Sequence, residues 1–156
     1  MGVKSILKGH ELFLNLNVEE VDAISDFSER RGYDKGDTIF PQGQKAEKVY
    51  ILLEGEVYLR LPASPEEFRI VISKLGKDDL FGLSPLLGSE RYTVEAQCSE
   101  DTEVLAIDAV KFRKLLEAST TSGLYIMSEV AKVYFERYAE LMKRLQSIVL
   151  QIPLIP

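Results

Sequence analysis

The chain has no tryptophan, one cysteine and one histidine in 156 residues. Cys98 alone can neither close an internal disulfide nor hold an iron–sulfur cluster. His10 alone cannot build a multi-histidine metal centre. A histidine-activated nucleophile would need His10 to reach Cys98 or a serine, and no nucleophile-elbow pattern is present. These scarcities argue against an enzyme. Basic runs are missing too: 19 Lys and Arg stand against 25 Asp and Glu, a formal net charge of −6, where a nucleic-acid surface needs clustered cations. No apolar run is long enough to span a bilayer. The opening "MGVKSILKGHELF" lacks the apolar core of a signal peptide, and Ile6 breaks a myristoylation pattern. The expectation is a cytoplasmic chain that touches neither membrane nor nucleic acid directly.

What is present is the composition of one soluble globular domain: 46% hydrophobic and 28% charged residues, enough to bury a core. Three parts can be read. In "LNVEEVDAISDFSERRG", Val18, Val21, Ile24 and Phe27 recur at helical spacing, with Asn17 as N-cap, Glu19 and Glu20 in the first turn and Gly32 as the stop. His10, in a polar turn before it, is expected on the solvated surface.

From Tyr33 to about Asp108 the period becomes two. "DTIFPQG" reads as a short strand before a turn. "KVYILLEGEVYLRL" is a long strand interrupted at Glu54-Gly55-Glu56. In "EEFRIVISKL", Phe68, Ile70 and Ile72 share a face. "RYTVEAQC" and "TEVLAID" follow, with Cys98 pointing inward and Val104, Ala106 and Asp108 opposite Leu105 and Ile107. Glycines at turn positions separate these strands, the signature of a sandwich or jelly-roll barrel.

Helix then returns. "DAVKFRKLLEAS" has Asp108 as N-cap and Phe112, Leu115 and Leu116 as its apolar face. A helix from Leu124 to about Leu150 carries Met127, Ala131, Tyr134, Tyr138, Leu141, Leu145 and Ile148 in alternating steps of four and three, a coiled-coil seam. Ile126, Val130 and Val133 widen the apolar face near its start. Its first half is therefore expected on the barrel and its second against a parallel helix of a homodimer. Glu129, Lys132, Glu136, Glu140, Lys143 and Arg144 form a solvated flank. The division is 1–123, a β-roll with its N-terminal helix, and 124–156, a dimerisation helix and tail.

This order of elements resembles the cyclic nucleotide-binding domain of Crp/Fnr-type regulators and of kinase regulatory subunits. "YDKGDTIFPQGQKAEKVYILLEGEVYL" is similar to the first half of that domain, and "LGKDDLFGLSPLLGSERYTVEAQCSEDTEVLAI" to its phosphate-binding cassette and the strands after it. The fold implied is mainly β with flanking α: a β-roll or jelly roll (a double-stranded β-helix) plus a long C-terminal dimerisation helix. The resemblance implies a sensor of cAMP, cGMP or another small anionic effector. In such a cassette a short helix aims its N-terminus at a phosphate, an arginine pairs with it, and a glutamate after Phe-Gly accepts the ribose hydroxyl. Phe81 and Gly82 match, Arg91 is nearest the arginine position, and Leu83 stands where the glutamate belongs. The stretch after Arg91 runs one residue short. Ser84, Tyr92 and Thr93 complete the implied cassette side, and Arg137 and Tyr138 the helix that closes over a ligand.

Leucine accepts no hydrogen bond, so a ribose hydroxyl there forfeits about 1.5–3 kcal/mol, or roughly ten- to a hundredfold in affinity. A divergent pocket follows, taking a non-standard effector or none. Two alternatives stand beside the sensor: a ligand-free dimerising scaffold, and the effector domain of a transcription regulator lacking its DNA-binding domain, since "LQIPLIP" is expected to end the seam helix without a DNA-reading element. A cupin-type enzyme, which shares a similar roll, fails on its histidine count.

Overall fold

The computed structural model describes residues 1–62 and 69–149. Helices α1 (Val3–Gly9) and α2 (Val18–Asp26) lead into strands β1 (Ser28–Tyr33), β2 (Thr38–Phe40), β3 (Lys48–Glu54), β4 (Val57–Pro62), β5 (Arg69–Leu75), β6 (Leu80–Phe81), β7 (Glu95–Cys98) and β8 (Thr102–Asp108). Helices α3 (Ala109–Ala118) and α4 (Thr120–Val149) close the chain. The strands form two four-stranded antiparallel sheets, ordered β1-β8-β3-β6 and β2-β7-β4-β5. They face one another as a β-roll, as expected.

Two layers of core explain why alternation is blurred in "VYIL". In β3 and β8 both faces are buried. Tyr50, Leu52, Val104 and Ala106 point between the sheets. Val49, Ile51, Leu105 and Ile107 point outward into a second cluster roofed by the helices, where Leu7, Ile24, Phe112, Ile126 and Val130 meet. The opposition of Val104 and Ala106 to Leu105 and Ile107 holds, and Cys98 is buried inside the roll, which pushes its thiol pKa up.

Gly55 is the corner between sheets: β3 leaves one sheet and β4 enters the other. Its φ is +99°, and a Cβ there would stand 2.4 Å from the Asp101 carbonyl oxygen. Only glycine satisfies both demands.

The caps are where the sequence places them. Asn17 accepts from Glu20 N–H at 2.8 Å while Glu20 accepts from Asn17 N–H at 3.1 Å, a full capping box. Asp108 caps α3 through Lys111 N–H at 3.0 Å.

Several expectations are corrected. The first long helix ends at Asp26, because Ser28–Tyr33 is captured as an edge strand by β8, Ser28 opposite Ile107 through Tyr33 opposite Thr102. Gly32 thus lies in a strand and stops no helix. Ile70 is exposed and Ile72 only half-buried, because β5 is irregular opposite Leu59 and Arg60, with Ser73 pairing Leu59 and Val71 pairing Arg60. The extra residue shifts the alternation and turns Ser73 and Leu75 inward. Phe68 lies outside the described residues. His10 is not a solvated surface residue. It caps a short 3₁₀ turn (Glu11–Phe13) by accepting from Leu12 N–H at 3.1 Å, and its other ring nitrogen donates to the Asp78 carbonyl at 2.8 Å. Asp78 is in a left-handed conformation, φ 71°, and its own N–H donates to the Leu52 carbonyl at 2.8 Å.

Helix α4 begins at Thr120, four positions before the expected start, and residues 150–156 of the expected tail lie outside the described residues. Among the described residues no helix is long and apolar enough to cross a membrane, and no group of three or more potential metal ligands occurs.

Candidate functional site

The space between the sheets is filled next to the cassette by four aromatic rings. Phe40 stacks on Tyr92 with centroids 3.7 Å apart, and Tyr50 stacks on Phe81 at 5.1 Å and on Phe40 at 5.7 Å. The backbone of Gly82 lies directly on this stack: a Cβ there would sit 2.9 Å from Tyr50 Cδ2, and φ is +64°. The Tyr92 hydroxyl donates to the Lys48 carbonyl at 2.6 Å and accepts from Lys48 N–H at 3.2 Å. Its polar end is thus satisfied by backbone, and burial raises both phenols above their ordinary pKa, Tyr50 strongly.

The segment that carries Arg91 explains its direction. Tyr92 N–H bonds Gln44 O at 2.9 Å, Gly43 N–H bonds Tyr92 O at 2.8 Å, and Ala46 N–H bonds Glu90 O at 2.8 Å. Residues 90–92 are therefore zipped to 43–46 as extended chain, and successive side chains alternate. Tyr92 turns in onto Phe40. Arg91 turns out, is exposed, and donates to the Gly43 carbonyl at 2.8 Å. It borders an outer cleft of about 720 Å³ with Lys45, Arg113 and Lys114.

Between the cassette and α4 lies a cavity of about 240 Å³. Gly82, Leu83, Ser84, Tyr92 and Thr93 line its cassette side, and Tyr134, Arg137, Tyr138 and Leu141 its α4 side. Phe40, Leu59, Ile72 and Val94 complete the wall. Of the residues singled out from the sequence, Gly82, Leu83, Ser84, Tyr92, Thr93, Arg137 and Tyr138 come together here. Phe81 sits behind them in the ring stack, fully buried, and Arg91 is on the other side of its strand. The cassette turn itself is four residues of 3₁₀ helix, Ser84–Leu87, with Leu83 at its N-cap position and Gly88 (φ +86°) ending it. Leu83 is 3% exposed, so it is part of the hydrophobic core as well as the cavity wall. The Ser84 hydroxyl donates to the Arg91 carbonyl at 3.4 Å.

Arg137 is half-buried. It donates to the Leu80 carbonyl, and loss of solvent lowers its pKa against the pull of Asp79. It separates the cavity from an open polar cleft of about 690 Å³ that contains Asp79, Lys132 and Glu136. Arg144, two helical turns further on, donates to the Val71 and Ile72 carbonyls at 3.0 and 3.1 Å, sealing the free edge of β5. Arg144 thus belongs to the barrel contact rather than to the solvated flank expected of it.

Sequence reasoning placed Leu141 on the dimer seam and passed over Val94 and Ile72. A usable signal was present: Tyr134, Arg137, Tyr138 and Leu141 are spaced i, i+3, i+4, i+7 and so share one helix face.

A roll of two antiparallel sheets, a cassette turn after Phe-Gly and a long closing helix define a class of regulatory β-roll, and sequence comparison supplies the family. Residues 30–119 match the model of the cyclic nucleotide-binding domain, and the chain belongs to that family. It is 36% identical over 102 residues to the cyclic AMP receptor protein of Thermus thermophilus, covering 65% of this chain and 46% of that protein. It is 30% identical over 112 residues to a cGMP-dependent protein kinase of Drosophila melanogaster, covering 70% of this chain and 12% of the kinase. The chain thus spans less than half the length of these relatives. Among solved structures, the Thermus thermophilus catabolite activator protein superposes with a TM-score of 0.68 at 29% identity, covering 87% of this chain and 62% of that one. A Geobacter metallireducens protein provisionally named as cyclic nucleotide-binding superposes with a TM-score of 0.77 at 25% identity, covering 88% and 99%.

Proposed function

We propose that this domain is a non-catalytic sensor: a small effector enters the cavity beneath α4, biases the position of that helix, and the helix passes the change to a second copy of the chain. One observation carries the reading. The same helix lines the cavity with Tyr134, Arg137, Tyr138 and Leu141 and, away from the cavity, presents Phe135, Met142, Leu145 and Ile148 to solvent. A ligand that contacts one face differently in two helix positions has the differential affinity that coupling requires.

The effector is not held as the family resemblance would have it. Leu83 offers no acceptor, Arg91 faces away, and the Tyr92 ring occupies the interior that a phosphate would need. Cyclic AMP and cyclic GMP are accordingly weak ligands in this reading. The filled ring stack favours a second reading, a dimerising scaffold with a silent pocket, and one experiment separates the two. In an amide-and-methyl NMR screen of a small-molecule library including cAMP and cGMP, the sensor reading expects at least one compound to shift Leu83, Val94 and Leu141 together. A screen in which no compound moves that group overturns it and leaves the scaffold.

A further inference from the structure

The cavity beneath α4 contains a single charge. Leu83, Val94, Leu59, Ile72 and Leu141 make its wall apolar, no Asp or Glu lines it, and Arg137 is its one ionisable cation. That guanidinium has five N–H donors, yet among the described residues it makes one hydrogen bond, to the Leu80 carbonyl, and no ion pair within 4.0 Å. Asp79 and Glu136 attract it from the open cleft on its other side. Its other nitrogens are not buried without a partner, so they remain open to solvent. A cation drawn partly out of water with N–H groups still free gains most from an anion that brings its own apolar body.

The size and polarity of the space narrow the anion. At about 240 Å³ it falls below the roughly 300–1,000 Å³ usual for drug-sized ligands. A phosphate needs more donors than one guanidinium already shared with a carbonyl, and the Ser84 hydroxyl is turned to Arg91 O. A carboxylate needs two parallel N–H bonds, which one arginine supplies. Resting on the sensor reading above, we infer that the effector class is a small apolar monocarboxylate, its ring or chain against Leu83, Val94 and Tyr134 and its carboxylate on Arg137. Tyr134 and Tyr138 then become the contacts through which an occupied cavity holds α4.

The test uses matched acids and amides. Titration calorimetry on the whole chain compares 3-phenylpropionate with 3-phenylpropionamide, and octanoate with octanamide, with cAMP as a further arm. Each acid is expected to bind at least about tenfold more tightly than its amide, the value of a charge-assisted hydrogen bond. Arg137→Gln should bring the acid down to the amide's affinity. Leu83→Glu, which places a carboxylate across the cavity from Arg137, should abolish the acid's advantage by a second route should Arg137→Gln fail to fold. Equal binding of acid and amide by the wild type overturns the ligand class while leaving the cavity an effector site. An acid preference that survives Arg137→Gln overturns the role of Arg137. Silence from all four probes also rejects the class, and the sensor reading is then decided separately by the library screen. Binding of cAMP above both acids points to a nucleotide and rejects the inference.

Discussion

The two halves of α4 are built from similar residues and meet opposite fates. In the first half Ile126 and Val130 are wholly buried, and Met127, Val133 and Tyr134 pack against the same cluster. In the second, Phe135 is 68% exposed, Leu145 52% and Ile148 57%. Hydrophobicity alone does not separate them. The difference is what lies beneath: the first half packs with α3 and the Glu11–Phe13 turn into the cluster outside β3 and β8, whereas the second passes the edge of β5 and is held there by Arg144. The exposed line, Ala131, Phe135, Tyr138, Met142, Leu145, keeps the four-three step of a coiled coil but is rotated by about one residue from the seam read in the sequence. Tyr134 of that seam faces the barrel, and Phe135 faces solvent.

Breaking the buried half should have the largest effect. Ile126→Ala deletes a side chain with no exposure and is expected to cost about 2–5 kcal/mol in urea unfolding, at any protein concentration. If its cost instead grows as the protein is diluted, the division between a packed half and an associating half is wrong. Next, Phe135→Glu should leave the unfolding of the isolated domain within about 0.5 kcal/mol. In sedimentation equilibrium it should weaken self-association by about 2 kcal/mol, roughly thirtyfold. An unchanged dimer would show that the exposed line is not the contact. Leu141→Asp sharpens the same point, because Leu141 belongs to the cavity wall: it should impair ligand binding more than association. The smallest effect is expected of Arg144→Met, which removes two bonds to carbonyls of β5 for about 1 kcal/mol. Its readout is local, faster amide exchange in 140–149 with the first half of α4 unaffected, and uniform exchange along the helix would refute a separate anchor.

Much of the fold is legible because its signals are local. The Asn17 capping box, the Asp108 cap and the glycine at the Gly55 corner each depend on residues within a turn, and each is found where the sequence puts it. The misses share another cause. Ser28–Tyr33 is a strand only because β8, 69 to 79 positions away, offers its edge. Ile70 turns outward because an irregular pairing with β4 resets the alternation. His10 is buried because Asp78, far along the chain, supplies an acceptor. In the site, the resemblance pointed to the cassette at Phe81-Gly82 and to Leu83 where an acid was expected. The direction of Arg91 was not visible, since it depends on pairing with residues 43–46.

By itself, then, the sequence determined the antiparallel strands, the caps and the long helix, because periodicity, turn chemistry and side-chain type are written residue by residue; the reading of Leu83 as a lost polar anchor came from the family resemblance. Only the tertiary structure decided that Tyr92 fills the interior, that Arg91 faces away, and that Arg137 is the cation of the cavity. Those outcomes turn on which side of a strand or helix meets a partner distant in sequence, and a shift of one residue reverses the answer.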